Sequence, residues 1–385
     1  MKKLLILPLV LCSLSLFTPA HAEDSAGNSA VYSAIDENGQ SIFTISAMLS
    51  EGDEYISKDN VLYRIETING TIATAKRIGE ETMPDVSWLD TGEAKPVFAR
   101  EEDTKAASSD QTDNRKLIAM YVTHSDESYV PSDGTESIEG QGGIYDVARA
   151  FRDALQQRGI DVILDESTHL PHDSGAYRRS RRTAERLLQK RPDAIIDIHR
   201  DGIPDPEQYK TTLKGEQASQ VRLLVGRSNQ NSDVNRAFAK QIKAIADKQY
   251  PGLIKDIFIG KGNYNQDLSP NAILLEFGTH TLSKERVLNS TDIMAHVMST
   301  ALYGPETGSA KGEKNEAESD TPAAVKEKNK SSLSGIGLLL AITITGLLLF
   351  ALAQTGGGKA MGNKIGRNIR ELTGGIIGKK KENKN

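Results

Sequence analysis

The chain has 385 residues, a net charge of −5 and 5% aromatic residues, which leaves room for two modest domains joined by long polar linkers. The leader contributes +2 and residues 354–385 contribute +6, so residues 23–353 carry −13 and are not a nucleic-acid binder on charge grounds. The single cysteine, Cys12, lies in the leader, which excludes a disulfide scaffold or a cysteine-ligated metal in the chain that follows.

Residues 1–22 have the pattern of a signal peptide. Lys2 and Lys3 precede an apolar stretch, and Ala20-His21-Ala22 is a cleavage site with small residues at both ends. An uncleaved N-terminal anchor is the alternative interpretation. Both interpretations predict that the chain after this segment is exported.

Residues 23–98 predict a small antiparallel β module. Short runs of alternating apolar and polar residues stand at 41–45, 61–65 and 71–75. Asn69-Gly70 separates the second run from the third, and an Asn-Gly pair between two strands is a strong hairpin signal. The module contains no cluster of chemically reactive residues, so we interpret it as a spacer or docking domain.

The polar residues 99–115 lack apolar periodicity and predict a linker. Strands and helices then alternate over residues 116–303, which predicts an α/β domain with a parallel or mixed sheet and helices on both faces. The predicted strands are 117–122, 160–164, 194–198, 221–225 and 272–275. The predicted helices are 144–158, 175–190, 233–250 and 284–303.

The C-terminal part of the chain has the pattern of a membrane anchor. Residues 304–332 are charged and predict a disordered stalk. No charge lies between Lys330 and Lys359, and residues 333–353 are apolar enough to form a transmembrane helix. The basic tail 354–385 is expected in the cytoplasm, which places the α/β domain outside the cell. A buried core helix is the alternative for the apolar segment.

Several predicted strands end in residues that can bind a metal ion or move a proton. His124 follows the first strand of the α/β domain, with Glu127 three residues on, His199 follows strand 194–198, and Glu276 follows strand 272–275. The carboxyl ends of parallel strands meet at one edge of a sheet, where α/β proteins place their ligands. Two histidines and two glutamates have the composition of a catalytic zinc site with a general base.

Each of these residues also has a structural explanation. A lone histidine after a strand is more often structural, although Glu127 beside His124 favours a ligand pair. Glu276 closes an apolar run, and such a glutamate is also explained by a salt bridge at the strand end. The basic run 177–182 is more often a solvated helix face, but it could grip substrate carboxylates in an acidic domain.

The motifs together resemble the stage II sporulation protein P family, relatives of the zinc-dependent N-acetylmuramoyl-L-alanine amidases. The matching segments are Tyr121-x-Thr123-His124-x-x-Glu127-Ser128-Tyr129, the helix run from Tyr177 to Arg181, Ile196-Asp197-Ile198-His199-Arg200-Asp201, and Leu274-Leu275-Glu276-Phe277-Gly278. The β module also resembles the N-terminal portion of that family, so the resemblance covers residues 31–303. A C-terminal anchor is a departure from the family, for which an N-terminal anchor is expected.

The resemblance implies a cell-wall hydrolase that acts in engulfment during sporulation. Such enzymes cleave the amide between muramic acid and the stem peptide, and endopeptidase activity on cross-links is also associated with the family. The implied partners are the peptidoglycan substrate and other engulfment proteins such as stage II sporulation protein D. The membrane as a partner is predicted by the apolar segment 333–353 and not by the resemblance. Together with the leader and the basic tail, this segment predicts a location in the cell membrane, with a single span and an extracytoplasmic catalytic domain.

The resemblance also assigns roles to particular residues. It implies a Zn²⁺ ion held by His124, Glu127 and His199, with Glu276 as the catalytic general base. Arg200 and Arg181 are expected to bind substrate because of their charge, and not because of the resemblance.

Alternatives remain at this stage. Asp201 or His172 would be the base if Glu276 were not, and Glu276 could replace Glu127 as a ligand. The chain could also be a catalytically inactive peptidoglycan-binding module anchored to the membrane, or a metal-dependent hydrolase of another polymer.

Overall fold

The computed structural model describes residues 30–91, 115–173 and 175–305. The predicted signal peptide, transmembrane helix and basic tail lie outside the described residues, as do nearly all of the predicted linker and stalk. Within the part of the chain that is described, no helix is long and apolar enough to cross a membrane.

Thirteen strands and six helices form the described structure. The strands are β1 (Tyr32–Ile35), β2 (Ser41–Ile45), β3 (Glu54–Ile56), β4 (Val61–Asn69), β5 (Ile72–Glu80), β6 (Leu117–Tyr121), β7 (Asp161–Asp165), β8 (Ala194–Asp201), β9 (Lys210–Leu213), β10 (Glu216–Ser219), β11 (Val221–Gly226), β12 (Ile254–Gly260) and β13 (Ala272–Thr279). The helices are α1 (Trp88–Thr91), α2 (Val130–Asp133), α3 (Ile144–Gln157), α4 (Ala176–Leu188), α5 (Ser232–Gln249) and α6 (Lys284–Tyr303).

Eleven of these strands form one mixed sheet, in the order β2-β1-β5-β4-β3-β12-β11-β13-β8-β6-β7. The pairs β11–β12, β13–β8, β8–β6 and β6–β7 are parallel, whereas β11–β13 and β12–β3 are antiparallel. The prediction of an α/β fold with a mixed sheet is therefore confirmed. The strands of the β module continue the same sheet through the β3–β12 pair, while the predicted domain boundaries stay predictions.

The helices and hairpins form where local sequence favours them. The buried residues of α3 recur at helical spacing, and the chain leaves the helix at Gly159, whose φ of 72° suits glycine. The predicted hairpin at Asn69-Gly70 is confirmed, because β4 and β5 pair antiparallel up to Asn69 and Ile72. β12 is not predicted by the sequence pattern, since Lys255 and Asp256 interrupt its apolar run.

Side chains of the central strands alternate between two faces of the sheet. On β11, Val221, Leu223 and Val225 belong to the large core that the sheet forms with α3, α5 and α6. Arg222 and Leu224 lie on the opposite face, which we call the front face. α4 covers the front face over β6 and β8, and the β module covers it over β11, β12 and β13. The site described below lies on this front face.

Four charged side chains stand side by side across the front face. The backbone register pairs Asp256 with Arg222, Arg222 with Glu276, and Glu276 with His199. All four are buried, and Asp256 and Arg222 are 0% exposed. Buried charges are costly unless they are paired. The Arg222 guanidinium meets this requirement, because it donates to both Asp256 oxygens at 2.7 and 3.0 Å and to Asp201 Oδ2 at 2.8 Å.

The substitution Arg222→Met should lower the free energy of unfolding by about 3–5 kcal/mol, because it removes the buried counter-ion of Asp201 and leaves Asp256 with Lys255 alone, at 3.6 Å. Urea unfolding of the purified chain measures the change. Arg64→Met is the matched control, since Arg64 pairs with Glu54 at 2.7 Å but its side chain is 50% exposed. The control substitution should lower the free energy of unfolding by less than about 1 kcal/mol. Equal losses in the two variants would contradict the importance of the buried pair.

Candidate active site

The loop after β6 carries His124 and Glu127, and the start of α3 fixes its shape. Gly142 N donates to Ser125 O at 3.0 Å, and Ile144 N donates to Glu127 O at 3.0 Å. A Cβ atom at position 142 would lie 2.3 Å from the Glu127 carbonyl oxygen, so only glycine fits there. This close approach of two backbone segments sets the position of Glu127.

His124, Glu127 and His199 converge, and their ligand atoms all lie within 4.8 Å of one another. Glu127 Oε1 is 3.2 Å from His124 Nδ1 and 3.4 Å from His199 Nδ1. Imidazole nitrogens and carboxylate oxygens are the donors that zinc takes in catalytic sites. The residues present therefore fit a divalent metal ion, while its identity stays a prediction.

The cluster is buried, and its charges depend on one another. Burial lowers the pKa of His124 to about 4, and the charges of His199 and His172 act in the same direction, so His124 is neutral near pH 7. Burial also opposes protonation of His199, but Asp197 and Glu127 outweigh it and raise the pKa of His199 to about 10. A metal ion that binds His199 must then displace a proton. Burial favours the neutral form of Glu127, yet His199 and His124 hold its pKa well below the usual range.

Neighbouring groups hold the cluster in place. His199 Nε2 lies 3.1 Å from Asp197 Oδ1, although it has no well-aligned hydrogen-bond partner among the described residues. Asp197 is fixed in turn by Thr123, whose N and Oγ1 donate to it at 2.9 and 2.6 Å. Glu127 Oε2 accepts a hydrogen bond from Arg200 N at 2.9 Å. Such neighbours set the orientation of metal ligands.

Glu276 lies beside His199 in the register of the sheet. Its Oε2 accepts a hydrogen bond from the Tyr209 hydroxyl at 3.2 Å and lies 3.7 Å from Arg222 Nη1. Its Oε1 accepts no hydrogen bond within the described ranges. Burial raises the pKa of Glu276, and the charge of Asp201 adds to this effect against Arg222 and His199. The site thus pairs a cluster able to hold a metal ion with a carboxyl group that has one free oxygen.

Protein groups already bind the two arginines predicted to contact substrate. Arg200 Nε donates to Ser128 O at 3.0 Å, and its Nη2 donates to Glu136 O at 2.8 Å. Arg181 makes two hydrogen bonds of 2.8 Å to the carboxylate of Asp267. Each arginine therefore has a structural partner, and substrate binding by either one stays a prediction.

The structure also brings to the site His172, which the sequence offered only as an alternative base, and Arg222 and Tyr209, to which the sequence assigned no role. The His172 ring stacks on His124 with ring centroids 4.0 Å apart, and its Nδ1 is 2.9 Å from Asp126 Oδ1. Arg222 could have been noticed, because it is a charge inside an otherwise apolar strand. Tyr209 had no such signal, since it follows a short 3-10 turn and reaches Glu276 only through the tertiary fold.

The fold and the site define a mixed α/β protein with a His–Glu–His cluster that can hold a metal ion. The family model for stage II sporulation protein P matches residues 51–299. The chain belongs to the stage II sporulation protein P family, and the resemblance inferred from its motifs is confirmed. The stage II sporulation protein P of Bacillus subtilis (strain 168) is 26% identical over 259 residues, a match that covers 62% of this chain and 63% of that relative.

Solved structures of amidases share weaker similarity with the chain. The CwlD amidase from Clostridioides difficile, solved with the GerS lipoprotein, is 13% identical with a TM-score of 0.34, and the match covers 49% of this chain and 95% of that one. The N-acetylmuramyl-L-alanine amidase Ami1 from Mycobacterium smegmatis is 17% identical with a TM-score of 0.32, covering 49% and 96%. Scores this low do not establish a common fold.

The purified chain should bind one divalent metal ion, and His199→Ala should lose it because one of the three ligands is removed. Elemental analysis measures the metal, and circular dichroism checks that the variant folds. His296→Ala is the control, since His296 Nδ1 bonds to the Tyr250 hydroxyl and is not a member of the cluster. Stoichiometric metal in His199→Ala would show that the ligand set is wrong.

Proposed function

We propose that the protein is a zinc-dependent N-acetylmuramoyl-L-alanine amidase that cleaves peptidoglycan during engulfment in sporulating cells. The observation that carries the proposal is Glu276, which lies in register with His199 and has one carboxylate oxygen without a partner in the described structure. Membership of the stage II sporulation protein P family supports the role in sporulation. Endopeptidase activity on cross-links and partnership with stage II sporulation protein D belong to the same proposal.

His124, Glu127 and His199 would hold the zinc ion. When bound, the ion would polarise the scissile carbonyl and activate water for attack on it. Arg200 lies next to this cluster, because its backbone N bonds to Glu127. Its partly buried guanidinium would hold a carboxylate of the stem peptide or oppose the negative charge that develops during the reaction.

Glu276 would act as general base and then as general acid. Its free Oε1 would accept the proton of the attacking water and then deliver it to the departing amine, which leaves the muramic acid separated from the stem peptide. Because one carboxylate serves both steps, the proton lost by water is the proton gained by the amine. The burial of Glu276 keeps bulk water from competing for that proton.

Asp201, one of the two alternative bases beside His172, is occupied by structural hydrogen bonds. Its Oδ1 accepts from Gly202 N at 2.7 Å and Ser46 N at 3.2 Å. Its Oδ2 accepts from the Tyr209 hydroxyl at 2.9 Å and from Arg222 Nη1 at 2.8 Å. A carboxylate that already accepts hydrogen bonds on both oxygens is poorly suited to take a proton from water. These contacts favour Glu276 over Asp201 as the base.

The substitution Glu276→Gln should lower the rate of stem-peptide release by roughly 10²–10⁴-fold, because it keeps the shape of the side chain but removes the base. The variant should retain its metal and still bind murein. Release of stem peptides from purified murein measures the rate. Glu285→Gln is the matched control, since Glu285 is exposed in the first turn of α6 and should leave the rate unchanged.

The outcomes of this experiment separate the remaining alternatives. Near-normal release by Glu276→Gln would eliminate Glu276 as the base, and loss of metal in that variant would make Glu276 a ligand. A wild-type chain that binds murein but releases nothing would be an inactive binding module. Release of stem peptides that a chelator does not reduce would contradict a metal-dependent mechanism. Activity on another polymer alone would contradict peptidoglycan as the substrate.

We also propose that the protein is anchored in the cell membrane by a single helix at 333–353, with the catalytic domain outside the cytoplasm. The leader at 1–22, the uncharged apolar segment and the basic tail 354–385 support this topology.

A protease added to intact protoplasts should therefore remove the α/β domain and spare a tag placed after Asn385. Immunoblotting for the tag and for the domain measures the result. In permeabilised protoplasts, which serve as the control, the tag should be lost as well. Loss of the tag from intact protoplasts would reverse the proposed orientation.

A further inference from the structure

Tyr209 is fully buried between two carboxylates. Its hydroxyl oxygen is 2.9 Å from Asp201 Oδ2 and 3.2 Å from Glu276 Oε2. Two cations face its ring, with the Arg222 guanidinium carbon 5.9 Å and Lys255 Nζ 5.2 Å from the ring centroid. The ring therefore has a fixed position, and its hydroxyl is aimed at the gap between the two acids.

The two carboxylates differ in how many hydrogen bonds they accept besides the one from the Tyr209 hydroxyl. Asp201 accepts hydrogen bonds from Arg222 and from two backbone amides besides. Glu276 Oε2 accepts from Tyr209 alone among the described residues, because Arg222 Nη1 is 3.7 Å away. A phenol has a single proton to donate. The Tyr209 proton is therefore shared between Asp201 Oδ2 at 2.9 Å and Glu276 Oε2 at 3.2 Å. It adds little to the three other donors of Asp201, but among the described residues it is the only hydrogen bond that restrains the orientation of the Glu276 carboxylate.

The other side of Asp201 is tied to the N-terminal strands. Ser46 N, just after β2, donates to Asp201 Oδ1 at 3.2 Å. Thr44 O, within β2, accepts from Arg222 Nη2 at 3.0 Å. Arg222 is held in turn by its two bonds to Asp256. A continuous set of hydrogen bonds thus runs from β2 through Arg222 and Asp201 to the Tyr209 hydroxyl.

We propose that Tyr209 is a positioning residue that holds Glu276 Oε2, so that the carboxylate keeps one orientation and its Oε1 stays available for proton transfer. The proposal rests on the amidase function proposed above. The terminal torsion of a glutamate has a broad energy minimum, so an unrestrained carboxylate would rotate. The hydrogen bonds from β2 to Asp201 would keep the Tyr209 hydroxyl in place, which gives the N-terminal strands a part in the site.

The test is Tyr209→Phe in the full chain, assayed on a soluble N-acetylmuramoyl peptide. Phenylalanine keeps the buried ring, and Asp201 keeps its other three donors, so the variant should fold and bind its metal. We expect kcat to fall about 10- to 100-fold with KM unchanged, because misplaced reacting groups lose rates of this order. A change confined to kcat separates positioning from a general loss of structure.

Tyr303→Phe is the matched control. It also removes a hydroxyl that donates to a carboxylate, since Tyr303 bonds to Asp193 Oδ2 at 2.8 Å, but Asp193 lies just before the amino end of β8. This control should leave kcat unchanged. An equal loss of kcat in the two tyrosine variants would overturn the proposal.

A second variant tests whether Tyr209 acts through Glu276. In a Glu276→Gln background, Tyr209→Phe should change the residual rate less than about twofold, because residues that act as a unit are not additive. The same fold-loss in both backgrounds would overturn the proposal, and so would loss of metal in Tyr209→Phe. An active wild type with an equally active Tyr209→Phe variant refutes only this inference, whereas a wild type that releases no peptide refutes the amidase function as well.

Discussion

The ion pairs of one buried guanidinium, that of Arg222, support both the sheet and the site. Arg222 lies between Asp256 and Asp201, and all three side chains are almost inaccessible to solvent. Without the guanidinium, two carboxylates would face each other in a medium that stabilises charge poorly. With it, a row of charged residues can cross the front face of a sheet whose other face is apolar. Glu276, the proposed base, is the next residue of that row, because the backbone register pairs it with Arg222.

The same network explains how the N-terminal strands relate to the rest of the molecule. The sequence of the β module contains no cluster of chemically reactive residues, which predicts a spacer or docking domain. In the structure its β2 strand lies against the network, where Thr44 accepts from Arg222 and Ser46 donates to Asp201. A Cβ atom at Gly202 would lie 2.3 Å from Ser46 Oγ, so the contact is also sterically close. The module therefore helps to hold the residues around the site.

The site is the region where the sequence departs from the apolar pattern that strands covered on both faces normally show. Charged residues occupy inward-facing positions on β8, β11, β12 and β13, where a sheet covered on both faces normally carries apolar side chains. Exceptions of this kind are expected at functional sites, because function requires groups that stability alone would not select. The ion pairs of Arg222 and the close fit of the loop that carries Glu127 offset the free-energy cost of burying these charged residues.

The sequence by itself determined five of the strands and the four long helices of the α/β region, and it predicted that His124, Glu127, His199 and Glu276 meet at one edge of the sheet. Those features follow from local periodicity and from the rule that parallel strands bring their carboxyl ends to one edge. Only the tertiary structure decided that Tyr209 reaches Glu276 and that Arg181 is paired with Asp267. Such contacts join residues far apart in the chain, and they depend on strand register and on the folding of β2 over the front face. No local pattern encodes either of these.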